Sequence, residues 1–404
     1  MVIMHVDVNS AFLSWSAVKA LEDGSDTDLR TIPSAVAGDR ASRHGIILAK
    51  SIPAKRYGIK TAETVAEALR KCPQLVMIPP DRDLYVRCSR AMVAILQEYS
   101  TCIERFSIDE CFLEYAGGGA HPSDPVQAAY EIKDRIKNEL GFTVNVGVSV
   151  NKILAKMGSE MEKPDKVHTL FPEEIPEKLW PQPVGDLFMV GKSSAAKLVS
   201  YNIKTIGDLA RSEKRFIHSI LKSHGDLIWN YANGIDGSRV TPNGLTVEKS
   251  VGNSVTIDHD VSDRAEAKRI LLQLSEKVGG RLRALGTTAS QVSVTIKTSD
   301  FISYSHQLQL GEYTDVTGDI YDNACWLFDE CWRGEPIRLL GVSVSGLNYS
   351  GEEQLSIFGT RAREENSRAD KVVDEIRERF GKGAITRGSL VSRDAVRDKS
   401  GPED

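Results

Sequence analysis

Cys102-Ile103-Glu104-Arg105-Phe106-Ser107-Ile108-Asp109-Glu110-Cys111-Phe112-Leu113-Glu114-Tyr115 is a pair of short apolar runs on either side of Ser107-Ile108-Asp109-Glu110, a pattern that predicts a hairpin with adjacent acids at its tip. Working outward to the start of the chain, Met1-Val2-Ile3-Met4-His5-Val6-Asp7-Val8 alternates short apolar residues up to an acidic one. It reads as a buried strand delivering Asp7 to its C-terminal edge. If these strands are neighbours, Asp7, Asp109 and Glu110 share one end of a sheet, and hard carboxylate oxygens on rigid strands are what Mg²⁺ requires. On spacing alone a plainer reading stays open, in which Asp7 caps the helix starting at Asn9 and Asp109-Glu110 populate a solvated turn.

The flanking segments extend this unit. Asn9 to Leu21 has helical spacing, a basic loop-rich stretch follows, and Thr64 to Arg70 reads as helix before a short strand at Leu75 to Ile78 closed by Pro79-Pro80. Tyr85 to Glu98 and Pro125 to Leu140 read as amphipathic helices. Thr143 to Ser149 alternates Val144, Val146 and Val148 with the strand period, and Asn151 to Met161 returns to helix. Interleaved strands and helices predict an α+β sheet domain over residues 1–166. Residues 167–240 read as helical throughout. Residues 249–348 run strand-helix-strand-strand-helix-strand, the order of a split βαβ sandwich. Past Asn348 the chain turns polar, with an amphipathic helix at Asp370 to Phe380 and a stretch from Arg393 to Asp404 expected to be disordered. The expected fold class is multidomain α+β.

With 404 residues, two to four domains are expected; 41% hydrophobic and 26% charged residues are typical of a soluble globular chain. No apolar run approaches a membrane span, and the N-terminus lacks the pattern of a secretory leader. The six cysteines form no CxxC pair, so they are expected to be reduced, in a cytoplasmic protein. A net charge of −5 argues against a broadly basic nucleic-acid face, so any such surface is local, at Lys50 to Arg56, Lys152 to Lys166 or Arg264 to Arg283.

Val6-Asp7-Val8-Asn9-Ser10-Ala11-Phe12, Ser107-Ile108-Asp109-Glu110-Cys111-Phe112 and Val146-Gly147-Val148-Ser149-Val150-Asn151-Lys152 resemble the palm motifs of Y-family translesion DNA polymerases. Lys71-Cys72-Pro73-Gln74-Leu75 with Pro79-Pro80 and Tyr85 matches too, in order, over residues 1–358. The resemblance implies a palm at residues 1–10 and 79–166, fingers at 11–78, a helical thumb with a helix-hairpin-helix at 167–240, a little finger at 249–348 and a tail at 349–404. It implies a polymerase that binds primer-template DNA and deoxynucleoside triphosphates and uses two Mg²⁺ ions. Asp7 and Asp109 would bridge the metals, Glu110 would complete the catalytic metal's site and the Val8 carbonyl would bind the nucleotide's metal.

By the same resemblance, Phe12 underlies the incoming sugar, while Lys55 and Lys163 grip the triphosphate. Gly191 and Lys192, in Val190-Gly191-Lys192-Ser193, would meet a DNA phosphate at a helix N-terminus, and Arg338 would meet another. Gln354-Leu355-Ser356-Ile357-Phe358 resembles a sliding-clamp peptide, with Gln354, Leu355, Ile357 and Phe358 as anchors. The chain departs from the pattern at Ile52, where Tyr is usual, Lys55 for Arg, Met189 for Gly, and Leu339 and Ser343 where Arg is frequent. A monomer is expected. The competing readings are a nucleotidyl cyclase, which also uses acids and two metals on palm-like strands, and an inactive polymerase-like scaffold.

Overall fold

In the computed structural model the residues described are 2–39, 45–118, 121–242, 248–350, 360–381 and 383–390. The chain divides into two compact units, residues 1–41 with 45–246 and residues 42–44 with 247–404. The clamp-like peptide Gln354 to Phe358 and the stretch from Arg393 lie outside the described residues. Among those described, no helix is long and apolar enough to cross a membrane.

The first unit runs β1 (Val2–Val8), α1 (Ala11–Glu22), β2 (Ser34–Ala37), β3 (Ile47–Lys50), α2 (Ile52–Arg56), α3 (Val65–Lys71), β4 (Val76–Ile78) and α4 (Arg82–Tyr99). It continues through β5 (Ile103–Arg105), β6 (Glu110–Tyr115), α5 (Pro125–Leu140), β7 (Val144–Ser149), α6 (Lys152–Ser159) and β8 (Val167–Thr169) to α7 (Lys192–Ser200), α8 (Ile206–Arg211) and α9 (Lys214–Ala232). Its main sheet has the order β5-β6-β1-β7-β8, and a smaller one has the order β3-β2-β4.

The strand period decides what each face of the main sheet meets. Met4, Val6 and Val8 of β1, Cys111 and Leu113 of β6, and Val144, Val146 and Val148 of β7 point into a core closed by Met92 and Leu96 of α4 and Ile132 and Ile136 of α5. The alternate residues, including Ile3 and Phe112, face the other way and pack on Ala155 of α6. Asp7 and Glu110 share that second parity, so they emerge on the α6 side. Local signals start and stop the helices: Asn151 accepts from the Leu154 N–H at 2.9 Å to cap α6. Pro125 opens α5, and Gly141, at φ 74°, closes it.

Several short features depart from the sequence expectation, among them α2, which lies in the stretch read as loop. Residues 34–50 were expected to be loop, but β2 and β3 are four-residue strands with a fully buried Ser-Ala-Val-Ala run, too short and too small in side chain to display a period. Residues 167–169, expected to be helical, instead pair in parallel with β7, a contact only the assembled sheet supplies.

The second unit comprises β9 (Ser250–Val261), α10 (Arg264–Ala284), β10 (Thr288–Thr298), β11 (Ser303–Thr314), α11 (Thr317–Cys331), β12 (Ile337–Asn348) and α12 (Thr360–Phe380). Its sheet order, β11-β10-β12-β9, with every neighbour antiparallel, makes β9 and β10 parallel with β12 inserted between them, the split βαβ arrangement. Leu271, Leu274 and Val278 of α10 and Ile320, Leu327 and Phe328 of α11 bury against Val292, Val294, Leu340 and Val342. α12 is longer than the Asp370 to Phe380 expectation. It is held by Arg283, which bonds Asp374 at 2.6 Å and Asp370 at 3.3 Å.

Candidate active site

Register brings the acids together. Asp7 stands directly opposite Glu110 on the antiparallel β1–β6 pair, and the Val8 N–H donates to the Asp109 carbonyl at 3.1 Å where the pairing ends. Oxygens of Asp7, Glu110 and Glu160 lie within 4.8 Å of one another, a set of hard donors suited to a divalent cation. Asp109 is outside that cluster. Its carboxylate accepts from the Ser107 hydroxyl at 2.6 Å and lines the same cleft as Asp7.

Two lysines offset part of this charge. Lys163 Nζ lies 2.6 Å from Asp7 and 2.9 Å from Glu160, and Lys156 Nζ lies 2.7 Å from Glu110. Lys156 is nearly buried and sits over the rings of Phe106 and Phe188 at 5.4 and 5.3 Å. Burial pushes the Asp7 carboxyl up to about 7, although Lys163 pulls it down. Burial alone would lower Lys163, but Asp7 and Glu160 hold it above the usual range. His5, two residues along the same face, bonds Ser159 at 2.7 Å and is held well below its usual value by burial and by Lys156.

The loop carrying Lys163 is pinned from beneath. Buried Asn145 donates to the carbonyls of Ser159 and Glu162 at 3.2 and 2.9 Å, and its oxygen accepts from Asn9 at 3.1 Å. Asn9 in turn accepts from the Asp165 N–H at 2.9 Å. A fully bonded buried amide pair of this kind fixes the backbone in one arrangement.

A cleft of about 460 Å³ opens beside the acids. Asp7, Val8, Asp109 and Lys163 form one wall, and Leu48, Lys50, Ile52 and Lys55 form another. Lys50 donates to Thr61 at 3.0 Å, and burial, with Lys55 nearby, lowers its pKa. Phe12 is not in the lining. It stacks on Tyr85, with centroids 4.5 Å apart and planes 4° from parallel, and its chain neighbours Ala11 and Leu13 line the cleft.

Gly191 precedes α7 as its N-cap, ahead of Lys192. Met189, where the family pattern has glycine, takes the left-handed conformation at φ 71° with its side chain 48% exposed. A β-carbon is strained there, so Met189→Gly should raise stability by about 0.5–1 kcal/mol in thermal unfolding. Arg338, on β12, has its guanidinium 4.8 Å from the centroid of Phe301.

The sequence reading missed Glu160 and Lys156. Lys156 lies on α6 and Glu160 caps it, in a run that reads as a basic helical surface, and nothing in its spacing points to Asp7 or Glu110.

The fold is similar to that of a Y-family DNA polymerase chimera of Dbh and Dpo4, with a TM-score of 0.72 at 20% identity, over 86% of this chain and 99% of that one. The impB/mucB/samB family matches residues 6–160 and its C-terminal domain matches residues 248–357. The chain is 46% identical to DNA polymerase IV of Clostridium acetobutylicum over 97% of its own length and 99% of that protein's. DNA polymerase IV of Acetivibrio thermocellus is 38% identical, covering 96% of this chain and 97% of its own; DNA polymerase IV 1 of Bacillus subtilis is 34% identical, covering 98% and 95%. The chain belongs to the DNA polymerase IV family of Y-family polymerases.

Proposed function

We propose that this chain is a DNA-directed DNA polymerase that extends a primer with deoxynucleoside triphosphates by two-metal phosphoryl transfer, with low fidelity and with bypass of damaged template bases. The observation that carries the reading is the register pairing of Asp7 with Glu110 beside a cleft that also holds Asp109, Lys55 and Lys163. When bound, two Mg²⁺ ions would lower the pKa of the primer hydroxyl and neutralise charge on the transferring phosphoryl group. Asp7, Asp109 and Glu110, with the Val8 carbonyl, would hold them.

The chain's own residues do the rest. Lys50, Lys55 and Lys163 face a cleft large enough for a triphosphate and donate to its oxygens as negative charge develops there. Ile52, on the same wall, offers no hydroxyl donor, and Lys55 binds as a point charge rather than a planar fork. Both differences call for a looser grip on the nucleotide. The family's palm, fingers, thumb, little finger and tail are assigned to 1–10 with 79–166, 11–78, 167–240, 249–348 and 349–404. Gly191, Lys192 and Arg338 contact DNA phosphates, Gln354 to Phe358 bind the sliding clamp, and the enzyme works as a cytoplasmic monomer.

Phe12 is proposed to exclude a 2′-hydroxyl, held in place by the ring of Tyr85 behind it. Phe12→Ala should raise ribonucleotide insertion about tenfold or more, because the discrimination is a clash that the variant removes. Steady-state insertion of matched ribo- and deoxynucleotides measures it, and an unchanged ratio rejects the role.

A primer-extension assay with Mg²⁺ tests the whole reading. Templated extension supports it, cyclic product from free nucleotide indicates a cyclase, and neither product indicates a scaffold.

A further inference from the structure

We infer that Glu160 is a positioning residue that receives Lys163 and Lys156 when a divalent ion displaces them from Asp7 and Glu110. The inference rests on the proposed metal site and adds an element that its ligand set does not contain.

Both lysines lie between a metal-binding carboxylate and the same glutamate. Lys163 Nζ is 2.6 Å from Asp7 Oδ2 and 2.9 Å from Glu160 Oε2; Lys156 Nζ is 2.7 Å from Glu110 Oε1 and 4.0 Å from Glu160 Oε1. Each lysine occupies one oxygen of a carboxylate that a divalent ion would use, Asp7 Oδ2 and Glu110 Oε1, and an ammonium repels an incoming cation, so ion entry favours the lysines shifting off those oxygens. Leaving is costly for Lys156, whose side chain is 9% exposed, unless another anion takes it. Glu160 is the anion within reach of both.

The surroundings favour movement in that direction. Asp7 and Lys163 line the nucleotide cleft, whereas Lys156 and Glu160 line a separate cavity of about 910 Å³ bounded by Glu162, Lys178 and Phe188. Lys156 moving toward Glu160 therefore moves into open space, while Lys163, already 2.9 Å from Glu160, keeps that partner on leaving Asp7 and stays at the cleft it lines. Glu160 caps the C-terminus of α6 and is itself exposed, so its carboxylate has room to follow.

Mn²⁺ binding to the full chain, measured by electron paramagnetic resonance without nucleotide or DNA, tests this through a double-mutant cycle. Glu160→Gln should weaken Mn²⁺ about tenfold when Lys163 is present, in the range of outer partners of a metal site. In a background carrying both Lys156→Gln and Lys163→Gln the same change should cost less than about threefold, because both competing ammonium groups are gone. An equal loss in both backgrounds, expected of a direct ligand or of charge acting through space, overturns the inference, as does no loss in either. If Glu160→Gln fails to fold by circular dichroism, Glu160→Ala is read in the same cycle. Asp7→Asn separates the two levels: wild-type Mn²⁺ binding by that variant rejects the metal site itself, whereas its loss alongside an additive cycle rejects only the role of Glu160.

Discussion

Asp7→Asn should reduce primer extension at least about a thousandfold while leaving the chain folded and able to bind DNA. The expectation of intact folding follows from electrostatics. Burial holds the Asp7 carboxyl up at about 7, so its ionised form is a burden on the folded state, and a neutral amide of nearly the same shape removes that burden. Lys163 keeps Glu160 as a partner at 2.9 Å, so the substitution does not strand a cation. What is lost is an anionic oxygen on the central strand of the sheet, opposite Glu110, where no neighbouring side chain supplies a substitute in register. Single-turnover extension against primer-template binding by fluorescence anisotropy makes the comparison. Extension within tenfold of the parent would remove Asp7 from the catalytic centre.

Gly147→Ala should destabilise the first unit by about 3 kcal/mol or more, read as a lower urea midpoint. Gly147 lies on β7 between His5 of β1 and His168 of β8, on the face that carries α6. A β-carbon there would overlap the Ala155 carbonyl oxygen and stand 2.5 Å from the Ser159 nitrogen. Both are helix backbone, so no side-chain rotation relieves the clash, and α6 must lift from the sheet. That helix carries Lys156 and leads directly into Glu160 and Lys163, so the variant should also lose Mn²⁺ affinity, linking a packing defect to the chemistry. Stability within about 1 kcal/mol of the parent would show that α6 yields without cost.

The two substitutions also show how far the chain can be read without its fold. Asp7 was legible because β1 is a nearly uninterrupted apolar run ending in one acid, and Asp109-Glu110 because two apolar runs flank them. Gly147 stands out inside the valine alternation, since glycine in a strand marks a close backbone approach. Glu160 was not legible as part of the site. It follows a helix in a stretch that reads as a basic surface, and its meaning comes from Asp7 and Glu110, which stand on strands far away in the chain. β8 was equally hidden, because a three-residue strand has no period and exists through pairing with β7.

By itself, then, the chain determined the alternation of strands and helices, the split βαβ order of the second unit and the acids that end β1 and begin β6, because period and capping act between near neighbours. The tertiary structure alone decided that Asp7 stands opposite Glu110 and on the α6 side of the sheet, that Glu160 rather than Asp109 completes the closest carboxylate cluster, and that two lysines pair with it. The reason is register: a one-residue shift of a strand sends every side chain to the opposite face, and only the packed sheet selects the shift.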